Sequence, residues 1–149
     1  MILSFDELPR HAGCVAMVDG AFDPLHAGHI AYFKAAAELG TPLLCNVASD
    51  LYVATKHPPL LPEAQRGAVV DAIRYIDFTH INQFDTETIL SHLRPKYYVK
   101  GKDWDGRLPP QQVDICGRLG IGIVYLDTMH DSSSRLLQRF AAQTHHGAA

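Results

Sequence analysis

The sequence lacks the features that mark secreted, zinc-binding and membrane-spanning proteins. Its 149 residues include three widely spaced cysteines, Cys14, Cys45 and Cys116, with no C-x-x-C pair, so neither a disulfide framework nor a zinc site is indicated. No apolar run approaches the roughly 18 residues of a membrane span, and the first residues do not resemble a signal peptide. We therefore expect a soluble, cytoplasmic protein with no membrane partner.

Positive charge is also scarce. The chain carries 13 Lys and Arg residues against 16 Asp and Glu, which gives a net charge of -3, and the isoelectric point is near 6.3. The basic residues are scattered, whereas nucleic-acid binding needs them clustered on one face. The composition therefore argues against a nucleic-acid partner and favours a small or anionic ligand.

Internal repeats, low-complexity segments and interdomain linkers are absent too. The composition, 47% hydrophobic and 19% charged, is typical of one compact domain with a real core. We expect a single domain over residues 1–149, with its core at about 14–143. The segment KHPPLLP at 56–62 is predicted to be a proline-stiffened loop.

Short apolar runs alternate with longer segments of helical period. This alternation is typical of a parallel sheet with crossover helices. The predicted strands are 14–18, 43–48, 78–81, 97–99 and 121–126, and the predicted helices are 26–39, 62–74, 86–93, 109–119 and 133–142. We expect a doubly wound, Rossmann-like α/β fold with a five-stranded parallel sheet in the order 3-2-1-4-5.

The stretch VDGAFDPLHAGHIAYFKAA at 18–36 lies where the first strand turns into the first helix. In an open parallel sheet, ligands bind at the carboxyl ends of the strands, and a helix start offers N–H groups to an anion. His26 and His29 lie three residues apart and share one face of the first helical turn. Imidazoles can donate to phosphate oxygens, so the pair predicts a phosphate site rather than a zinc site, for which no third ligand is evident.

Four segments together resemble the cytidylyltransferase-like (HxGH) nucleotidyltransferases. DGAFDPLHAGH resembles the family's G-x-F-D-x-x-H-x-G-H signature, and LPEAQRGAVVDAIRYID its P-x-x-x-R helix. RPKYYVKGKDW is similar to its K-G-x-D segment, and DSSSRLL to its last helix start. The likeness is greatest to heptose-1-phosphate adenylyltransferase domains, and next to glycerol-3-phosphate cytidylyltransferases.

The resemblance implies a role for each matching residue. His26 and His29 would stabilise the transferring α-phosphate, and Lys56 would bind a phosphate. The nucleotide would be bound by the two turns and by the start of the last helix, at Gly20, Ala21, Phe22, Gly28, Lys100, Gly101, Asp103, Ser132, Ser133 and Ser134. The acceptor substrate would contact Asp23 and Arg66.

Several of these residues have a structural alternative. Asp23 beside a proline is a common turn former, Lys56 could be a solvated surface lysine, and one of the three serines is expected to cap its helix. Arg66 falls on the same helical face as Val69, Val70 and Ile73. A charge there needs either an exit into the cleft, where a phosphate would bind it, or an ion pair with a carboxylate at the edge of the core.

The resemblance implies transfer of a nucleoside monophosphate from an NTP to a phosphorylated sugar or polyol, with release of pyrophosphate. Mg²⁺ would be carried mainly by the nucleotide phosphates, with no direct protein ligand, and a homodimer is expected. Asp127 stands where the cytidylyltransferases have an arginine, which favours ATP over CTP. The alternatives are a cytidylyltransferase that uses a small alcohol phosphate or phosphonate, and a catalytically inactive nucleotide-binding module.

Overall fold

The computed structural model describes residues 1–128 and 133–147. Five parallel strands form one sheet in the order β3-β2-β1-β4-β5, which confirms the predicted order. Their bounds are β1 Ala16–Gly20, β2 Leu43–Val47, β3 Phe78–Ile81, β4 Tyr97–Gly101 and β5 Gly122–Leu126.

Helices cover both faces of this sheet. They are α1 Ala27–Ala37, α2 Asp50–Ala54, α3 Glu63–Asp71, α4 Thr86–Leu93, α5 Pro110–Leu119 and α6 Ser133–Gly147, with two short 3-10 helices at Phe5–His11 and Lys102–Trp104. Helices α1 and α3 bury Phe33 and Val70 in the core on one face. Helices α4 and α5 bury Leu90 and Ile115 on the other. No helix in the described part of the chain is long and apolar enough to cross a membrane.

Two element boundaries differ from the sequence prediction in ways that affect the site. Strand β1 begins two residues later than predicted and runs on to Gly20, because Asp19 and Gly20 pair with Asn46 and Val47 of β2. Strand β4 likewise extends beyond residue 99 to Gly101. The strands therefore carry polar residues at their carboxyl ends.

The register of the sheet places these polar residues in one row. Met17, Leu44, Phe78 and Tyr98 form one row across the sheet beneath α4 and α5. Because side chains alternate between the faces of a strand, the residues two positions further on occupy the same face. They are Asp19, Asn46, His80 and Lys100. This face of the sheet thus changes from apolar to polar at its carboxyl edge.

Candidate active site

A cleft of about 470 Å³ opens at the carboxyl edge of the sheet. It lies at the position expected for a ligand site in an open parallel sheet. Residues from the strand ends, the start of α1 and the starts of α4 and α5 line it, among them Asp19, Gly20, Ala21, Phe22, His29, Asn46, Tyr52, Lys56, Asn82, Phe84, Glu87, Tyr98, Lys100, Trp104 and Gln112.

The two histidines are held by reciprocal contacts at the start of α1. His26 is the N-cap, and its Nδ1 accepts a hydrogen bond from the backbone N–H of Gly28 at 3.1 Å. The backbone N–H of His26 donates to Nδ1 of His29 at 3.2 Å, and the ring centroids are 3.8 Å apart. Because Nδ1 is the acceptor in each ring, a neutral ring carries its proton on Nε2. The arrangement therefore gives two imidazoles of the same tautomer.

His29 is the more deeply placed of the two. Its side chain is 7% exposed and lines the cleft. Burial, with a smaller contribution from nearby His26, lowers the pKa of His29 to about 3. The ring is therefore neutral at physiological pH and acts as a hydrogen-bond donor through Nε2 rather than as a cation.

Gly20 and Gly28, which flank the turn before α1, have no room for a side chain. Phe22 adopts a left-handed conformation with φ 52°, and its ring folds back over Gly20, where an added Cβ would lie 2.9 Å from the ring. The same ring makes an edge contact with His29. A Cβ at Gly28 would lie 2.8 Å from the His26 ring. The glycines thus permit the packing that orients both histidines.

Lys100 takes part in an ion pair at the floor of the cleft. Its Nζ lies 2.8 Å from Oδ1 of Asp19, with both side chains largely buried, and 4.5 Å from the centre of the Trp104 ring. The hydroxyl of Tyr98 lies within hydrogen-bond distance of Asp19 and Gln112. Burial, and then the Asp19 charge, raises the pKa of Tyr98. The lysine predicted to contact a phosphate is therefore partly neutralised by a carboxylate that the sequence analysis did not select.

Arg66 does not reach the cleft. Its side chain is fully buried, and each of its three nitrogens donates to protein oxygens. Nε donates to the Leu61 carbonyl at 2.9 Å, Nη1 to the carbonyls of Ala21 and Ala48 at 2.9 and 2.8 Å, and Nη2 to the Asp50 carboxylate at 2.9 Å. This placement differs from the expected contact with an acceptor phosphate and corresponds to the ion-pair alternative.

Asp23 has a similar structural environment. It is 0% exposed, and its carboxylate accepts hydrogen bonds from the backbone N–H groups of Leu60 and Leu61 at 2.8 and 3.1 Å. Together Asp23 and Arg66 attach the 56–62 loop to the turn after β1. In this structure both side chains are buried and bonded within the protein, and neither lines the cleft.

The remaining predicted residues lie around the cleft to different degrees. Lys56 is exposed at its rim, with Nζ 5.1 Å from the centre of the Tyr52 ring. Gly101 and Asp103 come shortly after Lys100 in the chain but do not line the cleft. A Cβ at Gly101 would lie 2.6 Å from the Asp103 carboxylate. Ser133 begins α6 and its hydroxyl donates to the Pro24 carbonyl at 2.8 Å. Ser134 is exposed on α6, and Ser132 lies outside the described residues.

Sequence reasoning missed several cleft residues because they belong to no motif. Asp19, Asn46 and Asn82 share one signal that was available, since each lies at or just after the carboxyl end of a strand. Tyr98 and Gln112 carried no such signal. The sequence placed them only within a predicted strand, 97–99, and a predicted helix, 109–119.

The described residues bring together no group of three or more His, Cys, Asp or Glu side chains that could hold a metal ion.

The comparisons with known proteins agree with this geometry. The family described as Cytidylyltransferase-like matches residues 17–139. The chain is 36% identical over 135 residues, 87% of its length, to the Bifunctional protein HldE of Streptomyces coelicolor, of which the match covers 29%. It is 38% identical over 88 residues, 58% of its length, to the FAD synthase of Archaeoglobus fulgidus, of which the match covers 64%. The chain thus spans less than two thirds of these relatives.

A solved structure gives the same result. The crystal structure of the lipopolysaccharide core biosynthesis protein from Thermoplasma volcanium superposes with a TM-score of 0.66 at 26% identity, over 77% of this chain and 97% of that one. The HxGH turn, the cleft at the sheet edge and these matches lead to one assignment: the chain belongs to the cytidylyltransferase-like family of nucleotidyltransferases.

Proposed function

We propose that the protein transfers the adenylyl group of ATP to the phosphate of a phosphorylated sugar or polyol, such as heptose 1-phosphate, and releases pyrophosphate. The observation that carries this proposal is the pair of imidazoles at the start of α1, each with its Nδ1 engaged by a backbone N–H. Of the two rings, His29 lines the cleft and His26 lies against it, whereas a module that only bound nucleotide would not need both. Donors fixed before the reaction stabilise charge that develops on the transferring phosphoryl group.

The reaction needs no covalent enzyme intermediate. A phosphate oxygen of the acceptor attacks the α-phosphorus of ATP and forms a new P–O bond, while the bond from the α-phosphorus to the bridging oxygen breaks and pyrophosphate leaves with that electron pair. Since the nucleophile is already an anion, no proton has to be removed from it. His26 and His29 would donate to the α-phosphate oxygens, and positioning would supply much of the remaining rate.

The acceptor would occupy the part of the cleft that lies over β2 and β3. Lys56 at the rim would bind its phosphate, and the amide side chains of Asn46 and Asn82 suit hydroxyl groups. The resemblance of the four motif segments to heptose-1-phosphate adenylyltransferase domains supports this acceptor class.

The nucleotide would lie on the other side of β1. Its ribose would contact Asp103 beyond the end of β4, and its phosphates would approach Lys100 and the start of α6 at Ser133. Mg²⁺ would be held by the phosphates of the nucleotide and would neutralise part of their charge. The preference for ATP rests on Lys100 in its K-G-K-D loop, which resembles the heptose enzymes, and on Asp127. In this fold Asp127 forms an exposed pair with Lys102 at 3.8 Å.

A pyrophosphate-release screen tests the proposal. ATP and CTP are each combined with heptose 1-phosphate, glycerol 3-phosphate, ethanolamine phosphate and FMN in the presence of Mg²⁺. The expected result is release of pyrophosphate with ATP and a sugar or polyol phosphate. Release of pyrophosphate with CTP alone would identify CTP as the donor instead of ATP. Nucleotide binding without pyrophosphate release from any combination of NTP and acceptor would favour an inactive binding module.

FMN is included because one feature of the cleft favours it as a second candidate acceptor. Tyr52 and Phe84 line the cleft and are 52% and 50% exposed, so their rings are available to stack on a flavin. The match to an FAD synthase supports the same candidate. Product formation with FMN at a higher kcat/KM than with any sugar phosphate would make the protein an FMN adenylyltransferase.

A further inference from the structure

Three amide side chains line the cleft, and they differ in how their hydrogen-bonding groups are satisfied. Oδ1 of Asn82 accepts a hydrogen bond from the backbone N–H of Phe84 at 2.9 Å. Gln112 accepts from the Tyr98 hydroxyl at 3.0 Å. Oδ1 of Asn46, in contrast, is buried and has no hydrogen-bond donor among the described residues, although the residue is only 2% exposed.

An unsatisfied buried carbonyl oxygen destabilises a folded protein, and most such groups have a partner. Asn46 points toward the cleft, because its side chain shares the face and the row of Asp19 and lines the same cavity. A donor supplied by the ligand would satisfy this oxygen.

The ligand in question is the acceptor and not the nucleotide. Asn46 lies on β2, between β1 and β3. The groups expected to contact the nucleotide, at the end of β4 and the start of α6, lie on the opposite side of β1. The nucleotide phosphates, moreover, carry no hydrogen-bond donors.

The chemistry of the donor follows from the surrounding charges. The carboxylate beside Asn46 in the row is Asp19, and its charge is matched by Lys100 at 2.8 Å. Asn46 itself is neutral. An ammonium group would find no unmatched charge at this point of the row, whereas a hydroxyl needs only an acceptor oxygen.

We propose that Asn46 is a specificity-determining residue of the acceptor site, which accepts a hydrogen bond at Oδ1 from a hydroxyl group of the phosphorylated acceptor. This inference rests on the proposed function and deepens it, since it requires the acceptor to carry a hydroxyl in addition to its phosphate.

The test compares the wild type with Asn46→Leu, which keeps the branching at Cγ but has no acceptor oxygen. We expect KM for heptose 1-phosphate or glycerol 3-phosphate, whichever is turned over best, to rise about 10-fold, as for the loss of one hydrogen bond. The ATP dissociation constant and kcat should change less than 2-fold. A KM within 2-fold of the wild type, or an equal loss of ATP affinity, would overturn the proposal.

Mono-deoxy analogues of that acceptor provide the matched control. One analogue should bind the wild type about 10-fold more weakly than the parent compound, and Asn46→Leu should not distinguish the two. If every analogue lost affinity by the same factor in both proteins, Asn46 would not be the partner of an acceptor hydroxyl.

A second variant, Asn46→Asp, tests the nature of the donor. If the partner were an ammonium group, this variant would lower KM for ethanolamine phosphate, and the hydroxyl assignment would be wrong. We expect instead no gain with ethanolamine phosphate.

Failure of the proposed function can be distinguished from failure of this inference by calorimetry. Should the wild type release no pyrophosphate with any pair, heptose 1-phosphate and glycerol 3-phosphate are titrated into the wild type and into Asn46→Leu. Binding that weakens about 10-fold in the variant supports the role of Asn46 without catalysis. Equal binding, or no binding to the wild type, overturns it.

Discussion

The backbone N–H of His26 donates to Nδ1 of His29 at 3.2 Å, so one histidine fixes the ring of the other. The same contact determines which nitrogen of His29 carries its proton, because Nδ1 must be the acceptor. The geometry of the histidine pair therefore depends on the helix cap as well as on the two rings. Variants can separate these contributions.

Replacing His29 with Asn keeps an acceptor near the position of Nδ1 and removes the donor at Nε2. We expect turnover to fall by about 10²–10³ because a transition-state hydrogen bond is lost, while the ATP dissociation constant changes little. Single-turnover kinetics and calorimetric titration measure the two quantities. His11→Asn, outside the lining of the cleft, should leave both unchanged. Near-normal turnover in His29→Asn would show that His29 takes no part in the reaction.

His26 is expected to have two separable roles. In His26→Ala both the imidazole and the cap are lost, and the free energy of unfolding should fall by about 1 kcal/mol. In His26→Asn the side chain can still accept from the N–H of Gly28, so stability should be largely restored. Turnover should remain low in both variants, since neither supplies an imidazole. Recovery of turnover in His26→Asn would mean that His26 acts only as a cap.

Burial of neutral His29 makes stability depend on pH. Its pKa is about 3 in the folded protein against an ordinary value of 6.5, so below about pH 6.5 the unfolded state binds a proton that the folded state does not. Stability therefore falls as the pH falls through this window. Relative to His29→Asn, the wild type should lose about 2 kcal/mol between pH 7 and pH 5. Urea titrations at both pH values measure this, and parallel losses in the two proteins would contradict it.

Two interpretations of the role of Arg66 can be separated by experiment. Contact with an acceptor phosphate, as expected from the sequence, would make Arg66→Met raise KM and leave stability unchanged. The buried contacts with Ala21, Ala48, Asp50 and Leu61 predict instead a loss of about 3–5 kcal/mol in the free energy of unfolding. Arg118→Ala, in an exposed pair with Asp114, is the control and should cost less than about 1 kcal/mol. A folded, equally stable Arg66→Met protein with a raised KM would restore the first interpretation.

The fold could be predicted from the sequence because its signals are local. The alternation of apolar runs and helical segments identified five strands, and the HxGH turn located the site at the end of β1. Helix α2 was missed because Asp50–Ala54 is too short to show a period. The end of β1 was missed because Asp19 and Gly20 read as a turn, whereas pairing with β2 extends the strand through them.

The roles of individual charged residues could not be predicted in the same way. Three of the four acceptors of Arg66 lie 16 to 45 residues away in the chain, and the sequence does not reveal which oxygens surround a buried guanidinium. Lys100 and Asp19 are 81 residues apart and meet only because β1 and β4 are neighbours in the sheet. A motif predicts which residue types occur at a site. Which charged residues pair with one another depends on the tertiary structure.

The attachment of the 56–62 loop by Asp23 and Arg66 has a consequence for hydrogen exchange. The side chains of Leu60 and Leu61 are 54% and 40% exposed, as in a mobile surface loop, yet their amide hydrogens are bonded to the buried Asp23 carboxylate. These two amides should exchange only when the loop separates from the turn that carries His26. Their opening free energy would then equal that of the turn, so the loop and the histidine turn behave as one cooperative unit.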